Sequence, residues 1–141
     1  MSDRLDRLAH YFESITEATL PQLHDFYAAD AYFKDPFNEV KSVADIERIF
    51  GHMYVSLHDP RFVVHTRIDQ GDEAFLAWDF NFRIKRYKPD VTQIIRGGSH
   101  LRWDATGKVC FHRDYWDAAE ELYEKLPLLG GFMRFLKRRM G

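Results

Sequence analysis

Asp35 stands in the run Tyr32-Phe33-Lys34-Asp35-Pro36-Phe37, a carboxyl among aromatic rings at the end of a segment that reads as extended. Burial among rings disfavours the ionised form of a carboxyl and lifts its pKa toward the range where it can take and return a proton. Capping a turn, held by backbone donors, is the competing role. His112, Asp114 and Trp116 alternate along one extended run, so their side chains share a face. An imidazole beside a carboxylate can act as a tuned acid or base, and it can equally be a hydrogen-bonded structural set. Ser99 follows Gly97-Gly98, where its hydroxyl can satisfy backbone groups in a bulge. Tyr11 shares a helical face with Leu8, Phe12 and Ile15, so its ring packs inward. His65, His100 and His112 fall on different expected strands, and no His or carboxylate pair has ligand spacing, so no metal is expected.

The chain that must position these groups has 141 residues, enough for one domain with one core. Lys and Arg number 20 against 22 Asp and Glu, a balance that gives no global attraction to nucleic acid. Twelve Phe, seven Tyr and three Trp can fill a core or line a cavity for a flat or hydrophobic guest. Cys110 has no cysteine partner, and the first residues carry charges where a signal peptide needs an apolar run. A reducing, cytoplasmic setting is expected. Charges interrupt every hydrophobic run well short of the roughly 20 apolar residues that cross a bilayer.

Leu5, Leu8, Phe12 and Ile15 recur at helical spacing over residues 3 to 17. A second short helix is expected from Thr19, with Pro21 in its first turn and Leu23, Phe26 and Tyr27 buried, ending between Ala28 and Asp30. Residues 31 to 37 read as extended, because Pro36 disfavours helix at Asp35. Ser42 caps a third helix whose apolar face is Ile46, Ile49, Phe50 and Met53. From Arg61 the period becomes two. Strands are expected over 61–68, 73–87, 91–103 and 108–116, with turns at Gly71-Asp72 and Ala105-Thr106-Gly107 and a bulge at Gly97-Gly98. Asp79, Asn81, Arg83, His100 and Arg102 fall on the face opposite the apolar one, as cross-strand or interface pairs. The tail, 118 to 141, reads as helical and ends in a basic amphipathic segment with Arg134, Lys137, Arg138 and Arg139. Packing on its own domain is expected of it in preference to membrane contact. Helices first and strands afterwards indicate an α+β fold with a strongly curved antiparallel sheet.

The segment Tyr27-Ala28-Ala29-Asp30-Ala31-Tyr32-Phe33-Lys34-Asp35-Pro36-Phe37, the Ser-capped helix after it, and the hairpin His100-Leu101-Arg102-Trp103-Asp104-Ala105-Thr106-Gly107-Lys108-Val109 together resemble the nuclear-transport-factor-2-like superfamily. Within it the likeness is to the ketosteroid isomerase and SnoaL-like polyketide cyclase branch, over residues 1 to 117. The resemblance implies a cone-shaped, cystatin-like α+β fold, three N-terminal helices against a curved sheet, enclosing a pocket. It implies Asp35 as general base and Tyr11 as oxyanion donor, with Ser99 where the family carries a second, stronger donor. It turns the face of His112 and Asp114 toward the pocket, lined by Phe33, Met53, Trp78, Phe80, Phe82, Leu101, Trp103 and Trp116.

Two functions are consistent with this. One is a cofactor-independent isomerase, cyclase or dehydratase acting on a small hydrophobic or aromatic molecule. The other is a non-catalytic ligand-binding or dimerisation module on the same scaffold, with a homodimer through the outer sheet face expected from the resemblance.

Overall fold

The computed structural model describes residues 3–118. From residue 119 onward the expected C-terminal helical extension, with its basic segment, lies outside the described residues.

Helix α1 (Asp3–Ser14) buries Leu5, Leu8, Ala9, Tyr11 and Phe12 and turns its charges outward. It stops three residues before the expected end. Ser14 Oγ donates back to the His10 carbonyl at 2.8 Å, and Thr16 and Thr19 close a turn in which the Thr16 N–H donates to Thr19 Oγ1 at 2.9 Å. Such side-chain bonds satisfy the backbone outside the helix and end it early. A 3₁₀ turn (Leu20–Gln22) carrying Pro21 leads into the four-residue helix α2 (Leu23–Phe26).

Strand β1 (Tyr27–Lys34) begins earlier than the residue pattern suggests. Tyr27 is buried and pairs with Val109, so tertiary pairing overrides the short helix that would have run to Ala28 or beyond. A short return, β2 (Glu39–Val40), forms the sheet edge, and helix α3 (Val43–Ser56) follows. Ser42 Oγ accepts from the Asp45 N–H at 3.1 Å, the N-cap read from the sequence.

The rest is a meander, β3 (Leu57–Gln70), β4 (Glu73–Ile84), β5 (Gln93–Trp103) and β6 (Val109–Tyr115). Gly71 and Gly107 sit at turns with φ of 61° and 86°, where a side chain would be strained. The sheet order is β2-β1-β6-β5-β4-β3. It is curved and unclosed, with the helices packed against it. One expectation is corrected: the sheet is mixed, because β1 runs parallel to β6, with Phe33 opposite His112 and Lys34 opposite Arg113. Alternation within each strand is blind to this, since a parallel pair and an antiparallel pair expose the same period.

The expected bulge at Gly97-Gly98 is also corrected. The β4–β5 register runs unbroken from Glu73–Arg102 to Phe82–Gln93. The glycines serve close packing instead: a Cβ on Gly97 would lie 2.7 Å from Trp78 Cη2 and 2.9 Å from the Tyr115 carbonyl oxygen, and one on Gly98 would collide with the Phe75 ring. The β3–β4 register shifts between His58 and Arg61 and between Val64 and Thr66, the β1–β6 register between Tyr27 and Tyr32, and the β5–β6 register between Arg102 and Trp103. In β3, Glu13 of α1 accepts a bond from the Val64 N–H at 3.0 Å and ties the helix to the strand.

On the outer face Glu73 accepts from His100 at 2.7 Å and from Arg102 at 3.2 Å, while Arg102 lies over the Phe111 ring. These are cross-strand pairs. On the inner face Leu76, Trp78, Leu101, Trp103 and Val109 join Leu8, Phe12, Phe33, Ile46 and Phe50 in one core. Among the described residues no helix is long and apolar enough to cross a membrane.

Candidate functional site

Strand register brings polar side chains together inside this apolar face. Ser99 on β5 is opposite Asp114 on β6, Leu101 is opposite His112, and Trp78 on β4 is opposite Gly97. Because Gly97 has no side chain, the Trp78 ring can lie across the sheet and present its N–H to Ser99.

The result is one buried chain of hydrogen bonds. Trp78 Nε1–H donates to Ser99 Oγ at 2.9 Å, and Ser99 donates to Asp114 Oδ1 at 2.5 Å. His112 Nε2 lies 2.6 Å from the same Oδ1, and His112 Nδ1 lies 2.6 Å from the Tyr27 hydroxyl. Indole N–H is a donor only, which sets the direction of the first two bonds. A carboxylate only accepts, so Nε2 facing it carries a proton, and in the tautomer that this selects, Nδ1 accepts from Tyr27. Burial, then the Asp114 charge, hold the Tyr27 phenol well above its usual range and keep it a neutral donor. Every proton in the chain therefore points toward Asp114. His112 and Ser99 are 2% and 3% exposed and the Asp114 side chain 13%, so solvent competes little for these bonds.

A cavity adjoins the chain, with about 10 Å³ of water-accessible volume. Rings of Phe12, Phe50, Phe62 and Trp78, with Val64, wall it, and Ser99, His112 and Asp114 supply its polar atoms. A carboxylate, an imidazole and a hydroxyl at an apolar hollow can exchange a proton with a guest and stabilise charge that forms on it.

Asp35 is placed differently from Asp114. It follows β1, beyond the pair of Lys34 with Arg113. Its Oδ1 accepts from the N–H groups of Phe37 and Asn38 at 2.8 and 2.7 Å and from Asn38 Nδ2 at 3.1 Å. Burial is the largest influence on the carboxyl and raises its pKa; the Asp114 charge adds to this, and the backbone donors work against it. Asp35 thus holds the turn through Pro36 and does not border the cavity.

The Tyr11 hydroxyl donates to the carbonyls of Thr19 and Leu20, at 2.9 and 3.3 Å, and its ring stacks on Phe26. Burial pushes this phenol upward too. Of the expected pocket lining, Trp78 borders the cavity. Phe33 packs edge-on against His112, Phe80 stacks between Phe62 and Phe82, and Leu101 and Trp103 lie in the core. Met53 and Trp116 are partly buried against that core. Phe12, Phe50, Phe62, Val64 and Tyr27 are not marked for the site by residue type or spacing. Phe62 and Val64 do carry a signal, the period of two in β3, and Phe12 and Phe50 lie on the apolar stripes of their helices. Among the described residues no three His, Cys, Asp or Glu side chains converge as metal ligands would.

Three helices against an open, curved mixed sheet, with polar groups buried between the layers, define an NTF2-like α+β protein. The chain belongs to the SnoaL-like domain family, whose sequence model matches residues 8–112. Its structure is similar to that of a protein from Catenulispora acidiphila with a ketosteroid isomerase-like fold, solved in complex with trimethylamine, at 15% identity, covering 90% of this chain and 95% of that one with a TM-score of 0.73. It is similar to an NTF2-like protein from Burkholderia thailandensis at 16% identity, covering 90% and 100%, TM-score 0.74. It is also similar to an LEH-like epoxide hydrolase from Mycobacterium tuberculosis at 11% identity, covering 94% of each chain, TM-score 0.69. At these identities the likeness is one of fold. Comparison with curated proteins gave no match.

Proposed function

We propose that this protein is a cofactor-independent enzyme of the isomerase, cyclase or dehydratase kind, moving a proton on a small, largely apolar molecule. Asp114 is the proton acceptor in this reading, and Ser99 and His112, the latter held by Tyr27, position it. The observation that carries the proposal is the convergence of protons on one carboxylate beside a ring-walled cavity. A base needs a fixed geometry and a dry setting, and both follow from the strand register. Asp35, the base implied by family resemblance, acts here through the turn it holds and through its charge coupling to Asp114. The structural neighbour described as an LEH-like epoxide hydrolase supports the use of such a scaffold by an enzyme.

The test is incorporation of deuterium α to the carbonyl in a panel of cyclic ketones and diketones in D₂O, followed by NMR. Wild-type protein should accelerate exchange in at least one member, and Asp114→Asn should reduce the rate by about 10²-fold or more while melting as a folded protein. Exchange at the buffer rate across the panel, or an unaffected Asp114→Asn variant, sinks the reading. A second reading, a non-catalytic module for an apolar ligand, is favoured by the two backbone N–H groups that Asp35 Oδ1 accepts from. It predicts a small molecule retained in a native mass spectrum of the purified protein, with no exchange.

A further inference from the structure

We infer that the cavity beside Asp114 is a site for one water molecule, held as a double hydrogen-bond donor and so presented as a nucleophile. The chemistry then narrows to adding water to, or removing it from, an electrophilic carbon. This rests on the acid–base reading above and deepens it.

Size gives the first argument. About 10 Å³ of water-accessible volume is close to what one water needs, so an organic guest does not share that space and meets the water from the cavity's open side. A buried water also needs two to four polar partners, and Ser99, His112 and Asp114 border the cavity.

Proton direction gives the second. The Trp78 N–H goes to Ser99, the Ser99 O–H and the His112 Nε2–H both go to Asp114 Oδ1, and the Tyr27 O–H goes to His112 Nδ1. No donor among these groups is left for a guest. What remains is acceptor capacity: Asp114 Oδ2, which takes no hydrogen bond among the described residues, and the second lone pair of Ser99 Oγ. A water in this position gives one proton to each. Its own lone pairs are then unopposed on the side of the rings. An anionic guest meets no donor and one negative charge, so the site takes neutral guests.

With a ketone guest the step balances. The water oxygen bonds to the carbonyl carbon as one water proton passes to Asp114, and the π pair of the C=O moves to its oxygen. Asp114 returns the proton to that oxygen, leaving the hydrate and the carboxylate. The reverse sequence expels water.

Cyclohexanone labelled with ¹⁸O tests both levels at once, with oxygen loss followed by mass spectrometry and α-deuterium by NMR in the same sample. Wild-type protein should speed oxygen loss about 10²-fold over buffer, and Asp114→Asn should return it to the buffer rate. Deuterium uptake without oxygen loss overturns the water site and leaves the acid–base reading standing. Absence of both exchanges overturns the water site, and if deuterium uptake also stays at the buffer rate across the ketone panel the acid–base reading goes with it; oxygen loss that survives in Asp114→Asn overturns the assignment to this carboxylate. Independently of turnover, the Trp78 indole proton should show cross-relaxation with a long-lived water in the wild type. The cavity-filling variant Val64→Ile should lose that signal, and its absence in the wild type overturns the proposal.

Discussion

Asp35 and Asp114 are both carboxyls on the inner side of the sheet, and their surroundings separate their roles. Asp35 has a pKa raised mainly by burial. The folded protein therefore binds its proton more tightly than the unfolded chain does. Above the folded-state pKa the ionised group opposes folding, the penalty lifts as pH falls through that value, and it is gone below the unfolded value. Asp35→Asn keeps an acceptor for Phe37 and Asn38, and its amide can donate to Asn38 Oδ1, which is buried without a partner among the described residues. That variant should melt no lower than the wild type at pH 7, and any advantage should shrink as the pH is lowered, as thermal melts across pH will show. Asp35→Ala leaves two backbone N–H groups without an acceptor and should cost about 1–3 kcal/mol in chemical denaturation. Tyr11→Phe gives a sharper contrast. Its hydroxyl donates to backbone carbonyls, so its loss should cost about 1 kcal/mol of stability and leave deuterium exchange unchanged. An oxyanion donor would instead cost about 10²–10³ in rate.

At the scale of the elements, Gly97 and Ser42 separate site geometry from bare stability. A methyl at position 97 would meet the Trp78 ring and the Tyr115 carbonyl. Gly97→Ala should therefore cost about 1–3 kcal/mol, displace the ring from Ser99, and lower the exchange rate as well. Ser42→Ala removes only the cap of α3 and should cost about 1 kcal/mol with no change in rate per folded molecule. Urea melts together with exchange kinetics distinguish the two cases. The role of Ser42 is legible in the sequence, because a Ser ahead of an apolar stripe at helical spacing has one mechanical meaning. That of the glycine pair is not: a bulge and a close approach require the same residue, and the choice depends on which ring arrives from the neighbouring strand.

Across the whole molecule, the pairing of β1 with β6 joins distant parts of the chain, Phe33 beside His112 and Tyr27 beside Val109. Loop closure over such separations precedes the contacts that reward it. Refolding measured by stopped-flow fluorescence of the Trp residues should therefore fall in the millisecond-to-second class. A dominant sub-millisecond phase would show that the parallel pair is not part of the folding barrier.

The order of helices and strands, the inward faces of α1 and α3, the alternation along β4 to β6, and the shared face of His112 and Asp114 follow from periodicities of 3.6 and 2 that can be counted along the chain. Those patterns are local, since each depends on residues a few positions apart. Whether β1 lies parallel or antiparallel to its neighbour, which of two carboxyls meets the cavity, and that Tyr27, His112, Asp114, Ser99 and Trp78 form one line of hydrogen bonds are decided by strand register and by the path of the crossover through α3. No local pattern encodes these. A shift of two residues in register keeps every side chain on its face and still changes all of its partners.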